Sequence, residues 1–196
     1  MKFNEFNSKV YNKLGFLTAT GGAMVLLALW AFFEASFWFI IPDFFLLILC
    51  IFSPNRYKKF FLACILFSLM GISAYFLFTS QYPAVSREIL TNTPFINAEM
   101  LDKVGRVYSQ QGVTAALKQT TTVIPVKVWT FQAVNYNFNF FSYLFLIAIS
   151  RAIRMFLVCF IFSYLGKRCA SLIRKNAVPF LMFYLLLFFI ILFYIT

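Results

Sequence analysis

Four long apolar runs, separated by short charged segments, organise this chain. They cover Leu14–Phe52, Phe60–Thr79, Phe140–Leu165 and Ala177–Ile195. About 20 apolar residues cross the hydrocarbon core of a bilayer, so each of the last three runs predicts one transmembrane helix. The first run has 39 residues and is long enough for two spans. The four runs together predict an all-α integral membrane protein. The competing interpretation, a signal peptide, would account only for the beginning of the first run.

The charged segments predict the orientation in the membrane. The N-terminus, residues 53–59 and residues 166–176 are rich in Lys and Arg and hold few or no acids. Such segments tend to remain in the cytoplasm. All three can do so only if Leu14–Phe52 enters the membrane and returns to the same side. We therefore expect a re-entrant hairpin that turns between Glu34 and Pro42.

Residues 121–139 predict a second re-entrant segment, which enters from the outside. The stretch is too polar for a simple lipid-facing span, because Pro125 and Lys127 lie in its middle and three asparagines lie near its end. Pro42 and Pro125 each follow an isoleucine and precede a strong span by about fifteen residues. Two interrupted segments at matching positions indicate an inverted repeat, which in transporters surrounds the transport site.

The expected domain organisation follows from these elements. Residues 1–13 form a cytoplasmic N-terminal segment, residues 14–176 form the membrane domain, and residues 177–196 form a C-terminal transmembrane helix. The membrane domain contains the re-entrant segments at about 14–52 and 121–139, and the chain has about three full transmembrane helices. An amphipathic helix is predicted over Asn97–Lys118, in the polar segment outside the membrane.

Composition supports a membrane protein whose partners are lipids. Hydrophobic residues make up 62% of the chain and charged residues 12%, against about 25% in ordinary globular proteins. The formal net charge is +11, and the cations cluster beside the apolar runs. This distribution indicates contact with anionic lipid headgroups and not with nucleic acid.

The residue types argue against an enzyme, a metal site or a cofactor. The chain has no histidine, which removes imidazole acid–base catalysis and histidine metal ligands. The four cysteines contain no CxxC pair, and we interpret them as small reduced hydrophobes. They are Cys50, Cys64, Cys159 and Cys169.

Five ionisable residues interrupt the apolar segments and are the candidate site. They are Glu34, Asp43, Lys127, Arg151 and Arg154. A charge at the centre of a membrane helix costs about 2.5–3.5 kcal/mol on insertion scales, so such residues are usually paired and functional. Three cations against two carboxylates leave one net positive charge, which suits a phosphate. Two alternatives stay open, namely ion pairs that only fix helix packing and charges that lie at the water interface.

Three stretches resemble the DedA/VTT superfamily of SNARE-associated membrane proteins. Phe33–Leu46 resembles its first re-entrant loop, and Ile124–Thr130 resembles the second loop of its YqaA-like branch. Ser150–Leu157, with Tyr164-Leu165-Gly166, resembles the helix that follows. The similarity covers roughly residues 15–170 in the same order.

The resemblance implies two opposed re-entrant loops and a role in moving lipids across the bilayer. Bacterial relatives are linked to recycling of undecaprenyl phosphate and to proton-motive-force-dependent envelope homeostasis, and eukaryotic relatives scramble phospholipids. By position, Glu34 and Asp43 match the acidic pair, Arg151 and Arg154 match the basic pair, and Lys127 matches the basic position of the YqaA-like loop. The chain departs from the family in having few glycines after either loop.

The function predicted from these observations is lipid transport of the flippase or scramblase type, in a bacterial inner membrane with a cytoplasmic N-terminus. Its substrate would carry an anionic or phosphate-bearing headgroup, with polyprenyl phosphate as one candidate, and Glu34 is the candidate for proton coupling. The open alternatives are a proton-coupled carrier of a small solute and a non-transporting membrane scaffold. Assembly into a homo-oligomer is also left open.

Overall fold

The computed structural model describes residues 2–37, 42–94 and 96–195, and over these residues the chain is helical, with no strand. Two 3₁₀ segments cover Pro54–Arg56 and Gly112–Thr121. The α-helices are α1 Lys2–Thr18, α2 Gly21–Ser36, α3 Asp43–Phe52, α4 Tyr57–Gln81, α5 Pro83–Thr91, α6 Ala98–Gln111, α7 Val126–Asn135, α8 Phe140–Arg168, α9 Ala170–Lys175 and α10 Ala177–Ile195.

Among the described residues, two helices are long and apolar enough to cross a membrane, and they cover two of the predicted spans. They are the 28-residue stretch Pro54–Gln81, which contains α4, and the 29-residue α8. A third span results if α1 and α2 count as one, although the chain bends by 67° between them. Helix α10 covers the predicted last span, and Ala177–Ile190 within it ranks with the shorter apolar helices.

The first apolar run contains two breaks. Helix α1 begins in the polar N-terminal segment and ends at Thr18, whose hydroxyl donates to the carbonyl of Leu14 at 2.7 Å. The chain restarts at Gly21 as α2, which ends at Ser36. The predicted hairpin turn between Glu34 and Pro42 falls in the second break, between α2 and α3. Its residues 38–41, including Ile41 of the predicted repeat, lie outside the described residues.

The polar segment contains the predicted amphipathic helix, but this helix is shorter than expected. Asn97 caps α6 by accepting a hydrogen bond from the backbone N–H of Met100 at 2.9 Å. The apolar face is buried at positions 101, 104, 105 and 108. Helix α6 ends at Gln111 and not at Lys118, because Gly112 takes a left-handed φ of 61° and the chain continues as a 3₁₀ segment.

The described helices divide into two compact units. The terminal unit comprises Met1–Leu27, Pro42–Ala63 and Phe156–Thr196, and the central unit comprises Ala28–Ile41 and Cys64–Met155. In the terminal unit α1 packs against α3, α9 and α10. Its core includes Ile51, Phe52 and Ile173.

The core of the central unit is formed largely by aromatic side chains. Helix α6 packs against α7 and the second 3₁₀ segment, and α5 also contacts α7. The largest fully buried side chains of this unit are Trp129, Tyr75, Tyr108 and Tyr143. Gly71 of α4 lies against the backbone of α2 at Phe32 and Ala35, where a Cβ atom would overlap the Phe32 carbonyl oxygen. The contacts with α5, α6 and the second 3₁₀ segment enclose the short helix α7 within its own unit.

Candidate functional site

Three charged side chains are buried among the residues that the structure describes, and all three belong to the central unit. Glu34 of α2 is 4% exposed, Lys127 of α7 is 2% exposed and Arg151 of α8 is 4% exposed. The group therefore carries one formal negative and two formal positive charges. Its residues come from three helices that are far apart in sequence, so the fold itself assembles this charge.

An ion pair links α2 to α8 within the central unit. The Nη2 atom of Arg151 donates a hydrogen bond to Oε2 of Glu34 at 2.7 Å. This distance is typical of a charge-assisted hydrogen bond. Because both side chains are buried, solvent screens their attraction little, and loss of either partner would leave the other as a buried charge.

Lys127 places a second cation beside the same carboxylate. It is the second residue of α7, whose N-cap is Pro125. Glu34 interacts electrostatically with Lys127. The Glu34 carboxylate thus attracts both cations, Arg151 through a hydrogen bond and Lys127 electrostatically, and the three formal charges sum to plus one.

Helices α7 and α8 are also connected by a buried hydroxyl pair. The Thr130 hydroxyl donates to the carbonyl of Val126 at 3.0 Å and lies 2.8 Å from the phenol oxygen of Tyr143. Arg151, on the same helix as Tyr143, acts electrostatically on this phenol. The pair fixes the position of α7, and therefore of Lys127, relative to α8.

The residue before Arg151 is held by the second 3₁₀ segment. The Thr120 hydroxyl donates to the carbonyl of Ser150 at 2.9 Å and lies 2.7 Å from the Ser150 hydroxyl. The Ser150 hydroxyl also lies 3.4 Å from Oε1 of the buried Gln119. These contacts fix the rotation of α8 at the point where Arg151 meets Glu34.

The other two candidate charges lie outside the buried group. Arg154 belongs to the central unit, three residues beyond Arg151, and its side chain is half-buried. Asp43 belongs to the terminal unit, where it is half-buried in the first turn of α3. A carboxylate at a helix N-terminus is favoured by the helix dipole, which gives Asp43 a local structural role.

The two candidate loop-breaking prolines occupy equivalent local positions. Pro42 is the N-cap of α3, and Pro125 is the N-cap of α7. Proline is well suited there, since an N–H at the start of a helix has no partner within the helix. Each proline precedes a short helix of 10 residues, of which α3 is apolar and α7 contains Lys127.

Three polar residues of this site were missed by the sequence analysis, namely Thr130, Tyr143 and Ser150. For Tyr143 and Ser150 the signal was present in α8, where these two residues and Arg151 follow the spacing of one helix face. All three are buried, together with Ile147 between them. Polar residues that share a helix face with an intramembrane arginine would have indicated the face that packs against the rest of the protein.

Trp129, two residues after Lys127 in the sequence, forms an aromatic contact with Tyr108. Their ring centroids are 5.4 Å apart in an edge-to-face arrangement, and each residue is 1% exposed. Burial raises the pKa of the Tyr108 phenol well above its usual range, so this group remains neutral. Over the described part of the chain, neither the Trp129 indole nitrogen nor the Tyr108 hydroxyl has a hydrogen-bond partner.

The described residues contain no cluster of His, Cys, Asp and Glu that could hold a metal ion. The four cysteines are free thiols, of which Cys50, Cys64 and Cys159 are buried. The buried group of Glu34, Lys127 and Arg151 can bind and neutralise charge.

Comparison with known proteins gives no relative from which a function could be transferred. No family model matches the chain, and no curated protein and no solved structure matches it. The geometry of the site thus stands on this chain alone.

Proposed function

We propose that this chain is a DedA/VTT-like membrane protein that moves a lipid with an anionic, phosphate-bearing headgroup between the two leaflets. The observation that carries the proposal is the buried group of Glu34, Lys127 and Arg151, with its net positive charge. Guanidinium and ammonium groups are the usual protein partners of phosphate. A headgroup phosphate would neutralise the positive charge of Lys127 and Arg151 that Glu34 does not neutralise.

The cost of burying these residues argues for a role beyond packing. Well-packed apolar side chains often hold helices together as well as a buried ion pair does, or better. Lys127 adds a further cation that a simple Glu–Arg pair does not need. A surplus of positive charge at a protein-lined position in the membrane is the arrangement expected for a site that receives an anion.

The dimensions of α3 and α7 support two re-entrant segments. Each helix has 10 residues, which corresponds to a length of about 15 Å, half of a hydrocarbon core of about 30 Å. Helix α7 begins after Pro125 and ends in a turn where Asn137 takes a φ of 52°. A short helix between two chain breaks can enter the membrane and leave on the same side, as an inverted repeat requires.

The first test is transbilayer lipid movement in proteoliposomes, with a fluorescent phospholipid and a polyprenyl phosphate probe. Glu34→Gln and Arg151→Gln should each slow movement at least about tenfold, which corresponds to about 1.4 kcal/mol in activation free energy. Matched controls are Glu99→Gln and Arg106→Gln, which make the same changes at exposed positions of α6 in the same unit. The controls should move both probes at the wild-type rate.

Two results would contradict this proposal. If wild-type protein moves neither probe, with or without a proton gradient, lipid transport is wrong and the alternatives of a solute carrier and a scaffold gain support. A solute carrier would show saturable uptake of a soluble compound that depends on Glu34. If Arg106→Gln reduces movement as much as Arg151→Gln at matched amounts of folded protein, the buried group has no special role.

The topology makes a separate prediction. Asn55 lies in the cation-rich segment and Asn92 in the polar segment, and both are exposed. With Cys169 replaced by serine, the remaining native thiols are buried. A membrane-impermeant maleimide should label Asn92→Cys in intact cells and should label Asn55→Cys only after permeabilisation. Labelling of both positions from one side would contradict the proposed re-entrant arrangement.

A further inference from the structure

An apolar groove lies in the terminal unit where the chain bends between α1 and α2. Its volume is about 320 Å³. Its walls include Leu14 and Leu17 from α1, Gly22 and Leu26 from α2, and Phe45 and Ile48 from α3. The groove is open at the surface, and Leu17 and Leu26 remain about half exposed there, at 48% and 49%. These side chains present hydrocarbon to whatever fills the groove.

The two threonines that line the groove, Thr18 and Thr20, do not offer free hydroxyl groups to it. Thr18 donates its hydroxyl to the Leu14 carbonyl, and Thr20 donates its hydroxyl to the Leu17 carbonyl, each at 2.7 Å. Both hydroxyls are therefore occupied by the backbone at the end of α1. Water would gain few hydrogen bonds in such a groove, and a hydrocarbon chain would remove its apolar surface from water.

A cation marks one end of the groove. The Arg56 guanidinium donates to the carbonyl of Ala19, the residue between the two threonines, and the arginine side chain is exposed. A guanidinium has five N–H donors, so this single bond leaves others that can meet a phosphate. Residues 53–59 hold three cations and no acid, which adds to the positive potential at this end.

The character of α1 indicates that this end of the groove lies at a membrane surface. Phe3, Phe6 and Phe16 are exposed large hydrophobics, whereas Lys9 and Lys13 supply an exposed charge on the same helix. These apolar and basic side chains share the exposed side of α1, and exposed aromatic groups together with lysines favour contact with the interface, near anionic headgroups. Acyl chains and phosphates are both available at this depth.

We propose that the groove between α1, α2 and α3 binds one acyl chain of an anionic phospholipid, whose phosphate contacts Arg56. This lipid would be a bound structural component and not the transported substrate. All of its protein contacts lie in the terminal unit, whereas Glu34, Lys127 and Arg151 belong to the central unit. The inference therefore does not depend on the proposed transport.

A glycine pair provides the test and its control. A Cβ atom on Gly22 would meet only the Thr20 hydroxyl oxygen, at 3.7 Å, so a larger side chain fits there and fills the groove. A Cβ atom on Gly21 would meet no atom within 4 Å, and Gly21 does not line the groove. Leucine favours a helix more than glycine does, so both Gly22→Leu and Gly21→Leu should fold.

Lipid binding is measured by native mass spectrometry of the purified full chain with phosphatidylglycerol and phosphatidylcholine. Wild type and Gly21→Leu should retain one phosphatidylglycerol per chain, and Gly22→Leu should bind it at least about tenfold more weakly. Arg56→Gln should lose the preference for phosphatidylglycerol over phosphatidylcholine. The exposed Arg87 gives the matched control, since Arg87→Gln should keep that preference.

Three results would overturn the inference. They are the absence of retained lipid in wild type, equal binding by the two glycine variants, and a dimer that Gly22→Leu abolishes, which would assign the groove to a second copy of the chain. Glu34→Gln and Arg151→Gln should retain the lipid in full. A failure of lipid transport and a failure of this site can therefore be told apart.

Discussion

Arg151→Gln should lower the thermal stability of the purified protein markedly, and addition of Glu34→Gln should restore part of it. The single change leaves the Glu34 carboxylate buried without the guanidinium that lies 2.7 Å away. Breaking a buried pair in this way costs about 3–5 kcal/mol. The double variant removes the unmatched carboxylate but leaves the buried Lys127 without the acid that attracts it, so the recovery should be partial. Melting in detergent, followed by tryptophan fluorescence, measures both effects.

The same double variant separates the transport and scaffold hypotheses. If the ion pair only fixes helix packing, lipid movement should follow stability and return in the double variant. If the charges receive a headgroup, the double variant should be more stable than Arg151→Gln and still move no lipid. Glu99→Gln and Arg106→Gln control for loss of charge at exposed positions. A double variant as unstable as the single one would show that the two side chains do not act as a pair.

Gly71→Ala should destabilise the protein by about 1–3 kcal/mol, as overpacking of a tight contact does. A Cβ atom there would overlap the Phe32 carbonyl oxygen and lie 3.0 Å from the Ala35 Cβ atom. Backbone cannot move aside as a flexible side chain can, so α2 and α4 must separate. Glu34 lies between these two contacts in sequence and should shift with α2, which predicts slower lipid movement as well.

Gly21→Ala is the control for this change, because it adds a methyl group at a helical glycine with open space around it. It should leave the melting temperature unchanged or raise it, since alanine favours a helix over glycine by about 1 kcal/mol. A melting temperature for Gly71→Ala as high as that of Gly21→Ala would contradict the tight contact between α2 and α4.

The elements with the strongest apolar pattern were predictable. Helices α4 and α8 follow from long apolar runs, of which the second is interrupted only by Arg151 and Arg154. The buried face of α6 follows from its helical spacing. The pairing of Arg151 with a carboxylate was also expected, since Glu34 and Asp43 are the only acids in the apolar segments. Whether Arg151 pairs with Glu34 or with Asp43 depends on the compact unit to which each acid belongs. That assignment is a property of the tertiary structure.

Features that depend on a single backbone angle or on packing could not be predicted. The bend between α1 and α2 occurs at residues 18–22, where threonines and glycines weaken the apolar pattern but no charge interrupts the run. The end of α6 depends on the left-handed φ of Gly112. The contacts of Thr130 with Tyr143 and of Thr120 with Ser150 join segments that only the folded chain brings together.

The sequence separation within the ion pair has a consequence for biosynthesis. Glu34 and Arg151 are 117 residues apart. Ribosomes add about 5–20 residues per second, so Arg151 is made roughly 6–23 s after Glu34. Throughout that interval the nascent chain carries the carboxylate of α2 without its arginine. The central unit can therefore complete its charged core only late in translation, and a chain that stops before residue 151 exposes an unmatched acid to cellular quality control.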